Sequence, residues 1–384
     1  MINLTLGMTL PKLAPEQERA IDAILAWLRS SRREMRVAGL AGTGKTTILA
    51  YLYEYLDAKV IVASYTGKSV AVLRKRGITD ATTLHRLLYY SSYNKRAGDW
   101  NHRTKKFLDR HDVVMVDEAS MVSPRIRDEL LAKARKVLFV GDPGQLEPIE
   151  GGGGFMEDAD IKLSQIHRQA LDNPIIRFSH RLRHDKPFGY GRLGRLNIFP
   201  LSTYDDVDLT AYDMIACGLN ATRMRINREI RERKGYRDIL CLGERIVCLE
   251  NDTNLHVFNG ETFTVAELRE PFEDRDGEKV IEARLVDETN EDRGWIPIRT
   301  QALLNAAHNT PKRERDGLNF QYGGCLTVHK LQASEYDNVL GIDEPPGSCD
   351  PKKWRYTMTT RAVKHLTYLT DIPQYQHHNT TLAA

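Results

Sequence analysis

The chain has 384 residues, enough for two or three domains at roughly 150 residues each. Its 55 Lys and Arg against 52 Asp and Glu leave a net charge of +3, which excludes a histone-like or polybasic-tail protein but not a nucleic-acid binder, because whole-chain charge averages over domains. With 41% hydrophobic and 28% charged residues, the composition suits a chain with a sizeable core and excludes a disordered one.

Residues 16–29 put Ile21, Ile24, Leu25 and Leu28 on one face of a helix. Residues 35–38 are a strand candidate, followed by a Gly-rich turn and a helix from about Lys45 to Leu56. The apolar run 59–63, KVIVA, suits a strand covered on both faces. Loop and helix follow over 64–76, then a helix over 84–88. Residues 89–110 are polar, basic and aromatic without a period, an excursion from the sheet. Strands are expected at 112–117 and 137–141, and this alternation marks an α/β P-loop domain. The glycines 151–154 form its natural edge.

A second α/β pattern starts near Ile161, with a strand at 213–217 and a helix containing Arg223 to Arg233. From about 234 to 322, short alternating segments predict a small β-rich insertion. The α/β character resumes at Leu326, with a strand at 338–343 and a final helix beginning near Thr360. The expected division is 1–155 for the first domain, with an insertion at about 89–110. Residues 156–233 and 321–384 make the second, and 234–320 its β-rich insertion.

Charge is unevenly placed. Residues 1–116 hold 19 Lys and Arg against 10 Asp and Glu, a net of +9, and the remainder is at −6. The five cysteines, at 217, 241, 248, 325 and 349, are odd in number and form no CxxC, which argues against a disulfide framework or a zinc knuckle. The first residues lack the basic start and apolar core of a signal peptide. No apolar window reaches a membrane-spanning length. No membrane and a cytoplasmic location, bacterial or in a phage-infected host, are expected.

Residues 39–46, GLAGTGKT, complete a GxxxxGK[ST] motif between a strand and a helix. Gly39, Gly42 and Gly44, with Thr43 and Thr47 beside them, let backbone N–H groups wrap a polyphosphate. Lys45 reaches the outer phosphates and Thr46 offers a hydroxyl to Mg²⁺. Asp117 and Glu118 close a buried strand. There Asp117 can hold Mg²⁺ through water and Glu118 can polarise an attacking water, which argues for hydrolysis of the γ-phosphate of ATP. Gln17 can read an adenine edge, or is an ordinary helix residue.

These motifs, in this order, resemble the superfamily 1 helicases of class B, the RecD-like and phage Dda-like group, over about residues 13 to 370. Beyond those above, SYTGKSVAVL (64–73), TTLHRLL (82–88), GDPGQLEP (141–148), LSQIHRQ (163–169), LTVHKLQASE (326–335) and YTMTTRA (356–362) match family segments. Two positions depart from the family pattern: Ala333 stands where Gly is common, and Met358 where a small residue is common.

The resemblance implies two RecA-like domains, with ATP and Mg²⁺ in the cleft between them. A short basic-aromatic insertion would interrupt the first and a small SH3-like insertion the second. Gln145 would sense the γ-phosphate, and Arg168 and Arg361 would reach it from the second domain. Thr66, Lys68, Thr83, His85, Thr327, His329 and Lys330 would line a single-stranded DNA track. The two histidines can equally be packed helix-face residues. Tyr89, Tyr90, Tyr93 and Trp100 are candidates for the tip of a duplex-splitting pin, which at this length must be a compact hairpin. One core anchor on a solvated basic face is the other reading.

The implied activity is an ATP-dependent, 5′-to-3′ DNA helicase acting on single-stranded and tailed duplex DNA, as a monomer. A single-strand DNA-binding protein is an expected partner, and replication, repair and recombination all fit. The alternative is a DNA-stimulated ATPase that moves protein on DNA with little unwinding. A small-molecule phosphotransferase leaves Glu118 and GDPGQLEP unexplained, and an inert DNA-binding scaffold would not hydrolyse ATP.

Overall fold

The computed structural model describes residues 13–372 apart from 95–98, 105–107, 109–110, 148–153, 166–171, 251, 253–254, 256, 258, 275–276, 288–289 and 305–316. The chain opens with α1 (Pro15–Arg29), whose Ile21, Ile24, Trp27 and Leu28 are buried, so the apolar face read from the sequence is the packed one. Pro15 suits its first turn because its missing N–H would be unpaired there anyway. Then come β1 (Glu34–Gly39), α2 (Lys45–Tyr55), β2 (Val60–Ser64), α3 (Gly67–Lys75), β3 (Thr82–Thr83) and α4 (Leu84–Leu88). They are followed by the strands β4 (Tyr89–Asn94), β5 (Asp99–Thr104) and β6 (Val113–Asp117), then α5 (Pro124–Lys133), β7 (Val137–Gly141) and β8 (Ile161–Leu163).

Six of these strands form a parallel sheet in the order β3-β2-β6-β7-β1-β8. Strands β2, β6 and β7 are buried at every position, which is why they read as continuous apolar runs. The registers bring Gly39, Asp117 and Gly141 to the carboxyl edge of adjoining strands. Residues Ile161–Leu163 pair with β1, so they extend this first sheet rather than opening the second. Strands β4 and β5 form a separate antiparallel hairpin in which Tyr93 is the register partner of Trp100.

The second lobe contains α6 (Pro174–Arg183), β9 (Gly191–Leu193), β10 (Leu196–Phe199), β11 (Met214–Cys217) and α7 (Asn220–Arg233). The chain then leaves for β12 (Arg245–Cys248), β13 (Thr262–Leu268), β14 (Phe272–Glu273), β15 (Lys279–Asp287), β16 (Asp292–Arg299), α8 (Thr300–Leu304) and β17 (Leu318–Tyr322). Pairing runs β13-β12-β17-β16-β15 and returns from β15 to β13, which closes a barrel, with β14 added at β15. Strand β15 alternates buried and partly exposed residues from Ile281 onward, the expected pattern for one face on a core.

The chain re-enters the second lobe at β18 (Cys325–Thr327), β19 (Tyr336–Ile342), α9 (Pro351–Thr359) and β20 (Ala362–Leu369). The second sheet runs β18-β11-β19-β20-β10-β9, parallel except for β9. Asn227 of α7 staples the two sides of the insertion together: its Nδ2 donates to Cys325 O and its Oδ1 accepts the Cys325 N–H, both at 2.9 Å. The architecture is thus an α/β RecA-like fold carrying a closed β-barrel insertion.

The expected final helix from Thr360 is corrected. The helix ends at Thr359, and residues 362–369 are a strand between β10 and β19. Asp350 caps the helix by accepting the Lys352 N–H at 2.8 Å, with Pro351 next in the chain, a start signal set ten residues before the expected one. Among the described residues, no helix is long and apolar enough to cross a membrane.

Candidate active site

The carboxyl edge of the first sheet faces the second lobe across a cleft of about 390 Å³. On the first side stands the Gly-rich turn. Gly42 and Gly44 both adopt φ +81°, a left-handed backbone that glycine takes without steric cost. At Gly39 a Cβ would lie 2.4 Å from Thr43 Oγ1 and 3.1 Å from Leu163 Cβ, so only glycine fits. Lys45 donates to the carbonyls of Gly39 (2.8 Å) and Leu40 (3.1 Å), and its Nζ lies 3.8 Å from Asp142 Oδ2. Thr46 also lines the cleft, whereas Thr47 is exposed.

Gln17 is buried behind this turn. Its Oε1 accepts the Ala14 N–H at 2.9 Å and its Nε2 donates to Gly44 O at 3.4 Å. In sequence terms Gln17 is either a reader of an adenine edge or an ordinary helix residue. The geometry adds that it braces the turn.

Asp117 and Glu118 enter from the end of β6. Burial pushes the Asp117 carboxyl upward. Burial, reinforced by the adjacent Asp117 carboxylate, pushes Glu118 up to about 7, against the pull of Lys45 and Arg361. Glu118 sits at φ +52°, ψ +42°, a strained left-handed conformation of the kind found where a side chain must be aimed. Its Oε2 is buried without a hydrogen-bond partner among the described residues. Gln145 is also buried, and its Oε1 likewise has no partner among them. Both unpaired acceptors belong to residues that line the cleft, so a water or metal-bound water would satisfy them.

The second lobe supplies Arg361, 3% exposed. Its guanidinium donates to Thr357 O (2.9 Å), Leu331 O (3.3 Å), Ser334 O (3.1 Å) and Thr360 Oγ1 (2.9 Å). Lys45, Glu118, Gln145 and Arg361 therefore share one cleft, as their spacing in the chain could not show. Arg168 lies outside the described residues.

Three further participants have no role assigned to them by the sequence reading. The Tyr356 hydroxyl donates to Asp142 Oδ2 and accepts the Ala41 N–H, both at 2.7 Å. Arg76, at the end of α3, lines the cleft and draws the Asp117 carboxyl downward. Leu146 is buried in the second lobe's core, with its N–H donated to Thr357 Oγ1 and its carbonyl accepting Gln332 Nε2, both at 2.9 Å. The GDPGQL segment carries the signal for Asp142 and Leu146. Tyr356 opens the YTMTTRA segment, but nothing there points to Asp142, and nothing local marks Arg76.

Ala333 lines the same cleft at φ +61°. The departure from the family pattern at this position is thus a Cβ carried in a left-handed backbone. Met358, the other departure, is fully buried beside Gly341, where a Cβ would lie 3.0 Å from the Met358 sulfur.

Among the described residues, no group of three or more His, Cys, Asp or Glu could hold a metal by itself. Thr46 and the buried Asp117 are hard oxygen donors on one wall of the cleft. That set fits Mg²⁺, which takes few protein ligands and completes its shell with water and substrate phosphates.

The expected DNA contacts fall on both lobes. Thr66 and Thr83 are helix N-caps: Thr66 Oγ1 accepts the Ser69 N–H at 3.1 Å and Thr83 Oγ1 the Arg86 N–H at 3.3 Å. His85 is exposed, its ring 5.8 Å from Tyr65 and 5.9 Å from Tyr89. Thr327 is buried, while His329 is partly buried and its imidazole is driven toward neutrality by that burial. Lys330 donates to Gln321 Oε1 at 2.6 Å, and burial, then the charge of Arg223, lowers its ammonium to about 8. The Lys68 side chain lies outside the described residues, as do those of Tyr90, Tyr93 and Trp100. Tyr89 bonds Glu129 of α5 through its hydroxyl, so it anchors the base of the hairpin rather than its tip.

The AAA domain family model matches residues 12–197. The ATP-dependent RecD2 DNA helicase of Deinococcus radiodurans is 29% identical over 360 residues, covering 86% of this chain and 45% of that protein. The ATP-dependent DNA helicase Dda of Enterobacteria phage T4 is 25% identical over 154 residues, covering 38% of this chain and 35% of its own. The chain thus spans less than half of either curated relative. The crystal structure of a Bacteroides Pif1 helicase with ADP-AlF3 and single-stranded DNA shares the fold, at TM-score 0.57 and 19% identity, over 96% of this chain and 94% of that one.

Proposed function

We propose that this chain, a superfamily 1 P-loop helicase related to the RecD and Dda types, uses ATP hydrolysis to move 5′ to 3′ along single-stranded DNA and to part duplex ahead of it. The observation that carries this reading is the shared cleft, where Lys45, Glu118 and Gln145 of one lobe meet Arg361 of the other. Charge builds on the phosphoryl oxygens during transfer, and cations from opposite walls stabilise it together only when the cleft is shut. Hydrolysis is then tied to closing and opening.

In this reading the N–H groups of the Gly-rich turn and Lys45 hold the triphosphate. Thr46 and Asp117 would hold Mg²⁺, which neutralises phosphate charge when bound. Glu118 accepts a proton from the attacking water, which Gln145 orients. Arg361 faces the γ-phosphate, and the family resemblance assigns Arg168 to the same task. The two lobes act as two RecA-like domains, 1–165 and 166–233 with 323–384, and the barrel as an SH3-like insertion. Single-stranded DNA crosses both lobes over α3, α4 and the turn after β18.

Unwinding of matched 5′-tailed and 3′-tailed duplexes under ATP and Mg²⁺ tests this directly. The expected result is strand separation from the 5′ tail, absent in Lys45→Ala. A preference for 3′ tails would overturn the polarity. The short hairpin, with six-residue strands, favours one second reading, a translocase that displaces bound protein and unwinds weakly. Strong ATPase stimulation by single strands without strand separation would establish it.

A further inference from the structure

We propose that the groove between α7 and the barrel is a second site for single-stranded DNA, taking a backbone phosphate and the nucleoside attached to it. This rests on the translocase reading and extends it beyond the expected track.

The groove encloses about 370 Å³. Four arginines line it, Arg223, Arg228, Arg231 and Arg237, against Glu232 and Asp238. Arg231 is already committed: it bonds Glu244 and the Asp238 carbonyl and lies 4.2 Å over the Tyr322 ring. Arg228 and Arg237 are exposed and have no ion-pair partner among the described residues.

Arg223 is the unusual member. It is 3% exposed, and only its Nε finds an acceptor among the described residues, Asn220 Oδ1 at 3.2 Å. Its charged neighbour is another cation, Lys330, which burial and the arginine's field push toward neutrality. A buried guanidinium without a carboxylate partner is costly to hold, and a phosphate suits it, because a guanidinium fork matches two phosphate oxygens.

The walls also suit a nucleoside. Tyr236, Leu303 and the 58%-exposed Leu304 offer flat and apolar surface beside the cations, the mixture on which single-stranded bases stack. The groove and the expected track share strand β17: Lys330, part of that track, bonds Gln321, and the neighbouring Tyr322, on the strand's opposite face, lines the groove.

The test is anisotropy with end-labelled oligothymidylates of graded length, about 4 to 16 nucleotides, the span of site sizes for such surfaces. Full-length wild type is compared with Arg228→Glu/Arg237→Glu and with Arg223→Lys. The expected result is affinity lowered about tenfold for the longer oligonucleotides and unchanged for the shortest. The salt dependence should flatten by about 0.7 in log–log slope for each phosphate no longer neutralised. DNA-free ATP hydrolysis, unchanged in the exposed double variant, verifies its fold. Wild-type affinity and slope at every length, or equal weakening at every length, would overturn the groove as a site. A wild-type chain that binds no oligonucleotide overturns the translocase reading itself, a pattern seen before any variant is made.

Discussion

Tyr356 of the second lobe donates its hydroxyl to Asp142 of the first at 2.7 Å. The acceptor is a fully buried carboxylate whose other oxygen accepts the Gly144 N–H at 2.8 Å. Tyr356→Phe removes one charge-assisted bond and leaves part of a buried charge unpaired, at a cost of about 1.5–3 kcal/mol. Chemical denaturation should show that loss, and ATP turnover should fall with it because the lobes lose a tie beside the phosphate turn. Unchanged stability would mean that the lobes do not depend on this bond.

Glu118 separates catalysis from binding. Glu118→Gln keeps the shape and removes the base, so turnover should fall by about 10²–10⁴, with nucleotide affinity preserved. Lys45→Ala should instead lose both. Steady-state hydrolysis beside fluorescent-nucleotide titration distinguishes them, and an active Glu118→Gln would reassign the base.

Ala333 offers a prediction of opposite sign. A left-handed backbone costs a non-glycine residue about 1–2 kcal/mol, and glycine returns about 0.4–1 kcal/mol of that through the unfolded chain. Ala333→Gly should therefore be neutral to stabilising by up to about 1.6 kcal/mol in a melting experiment. A clear loss of stability would show that the Cβ makes a favourable contact which outweighs its strain.

Lys330 gives a pH dependence. Its free ammonium titrates near 8, and contact with phosphate favours the charged form, so the pKa rises on binding. Affinity for single strands should be full below about pH 8 and fall as pH rises above it. Lys330→Gln should bind more weakly and lose that slope. A flat wild-type profile from pH 7 to 9.5 would remove Lys330 from the track.

The hairpin can be tested separately from the motor. Tyr93→Ala with Trp100→Ala alters the register pair next to the strand ends, outside the residues that line the cleft. Duplex unwinding should drop severalfold while single-strand-stimulated hydrolysis stays at the wild-type level. Parallel loss of both would make the pair structural.

Much of the nucleotide site is legible in the sequence because its chemistry forces local patterns. Glycines at 42 and 44 are needed where φ is +81°, and Asp117 ends a strand buried at every position. Meetings across the fold are not legible. Tyr356 reaches Asp142 over 214 positions, and no local feature announces that pairing. Residues 362–369 read as helix because their central position in the sheet blurs the strand period. Thr66 and Thr83 read as part of a DNA track, and their hydroxyls are first of all helix caps. A Ser or Thr before a helix carries both possibilities in one letter.

Asn227 fixes the points at which the chain leaves and re-enters the second lobe, since it grips Cys325 from within α7. The lobe thus holds the barrel at one clasp, and the contacts beyond it, Val247 in the lobe's core and Arg231 on Glu244, are what any different module between residues 234 and 323 would have to reproduce.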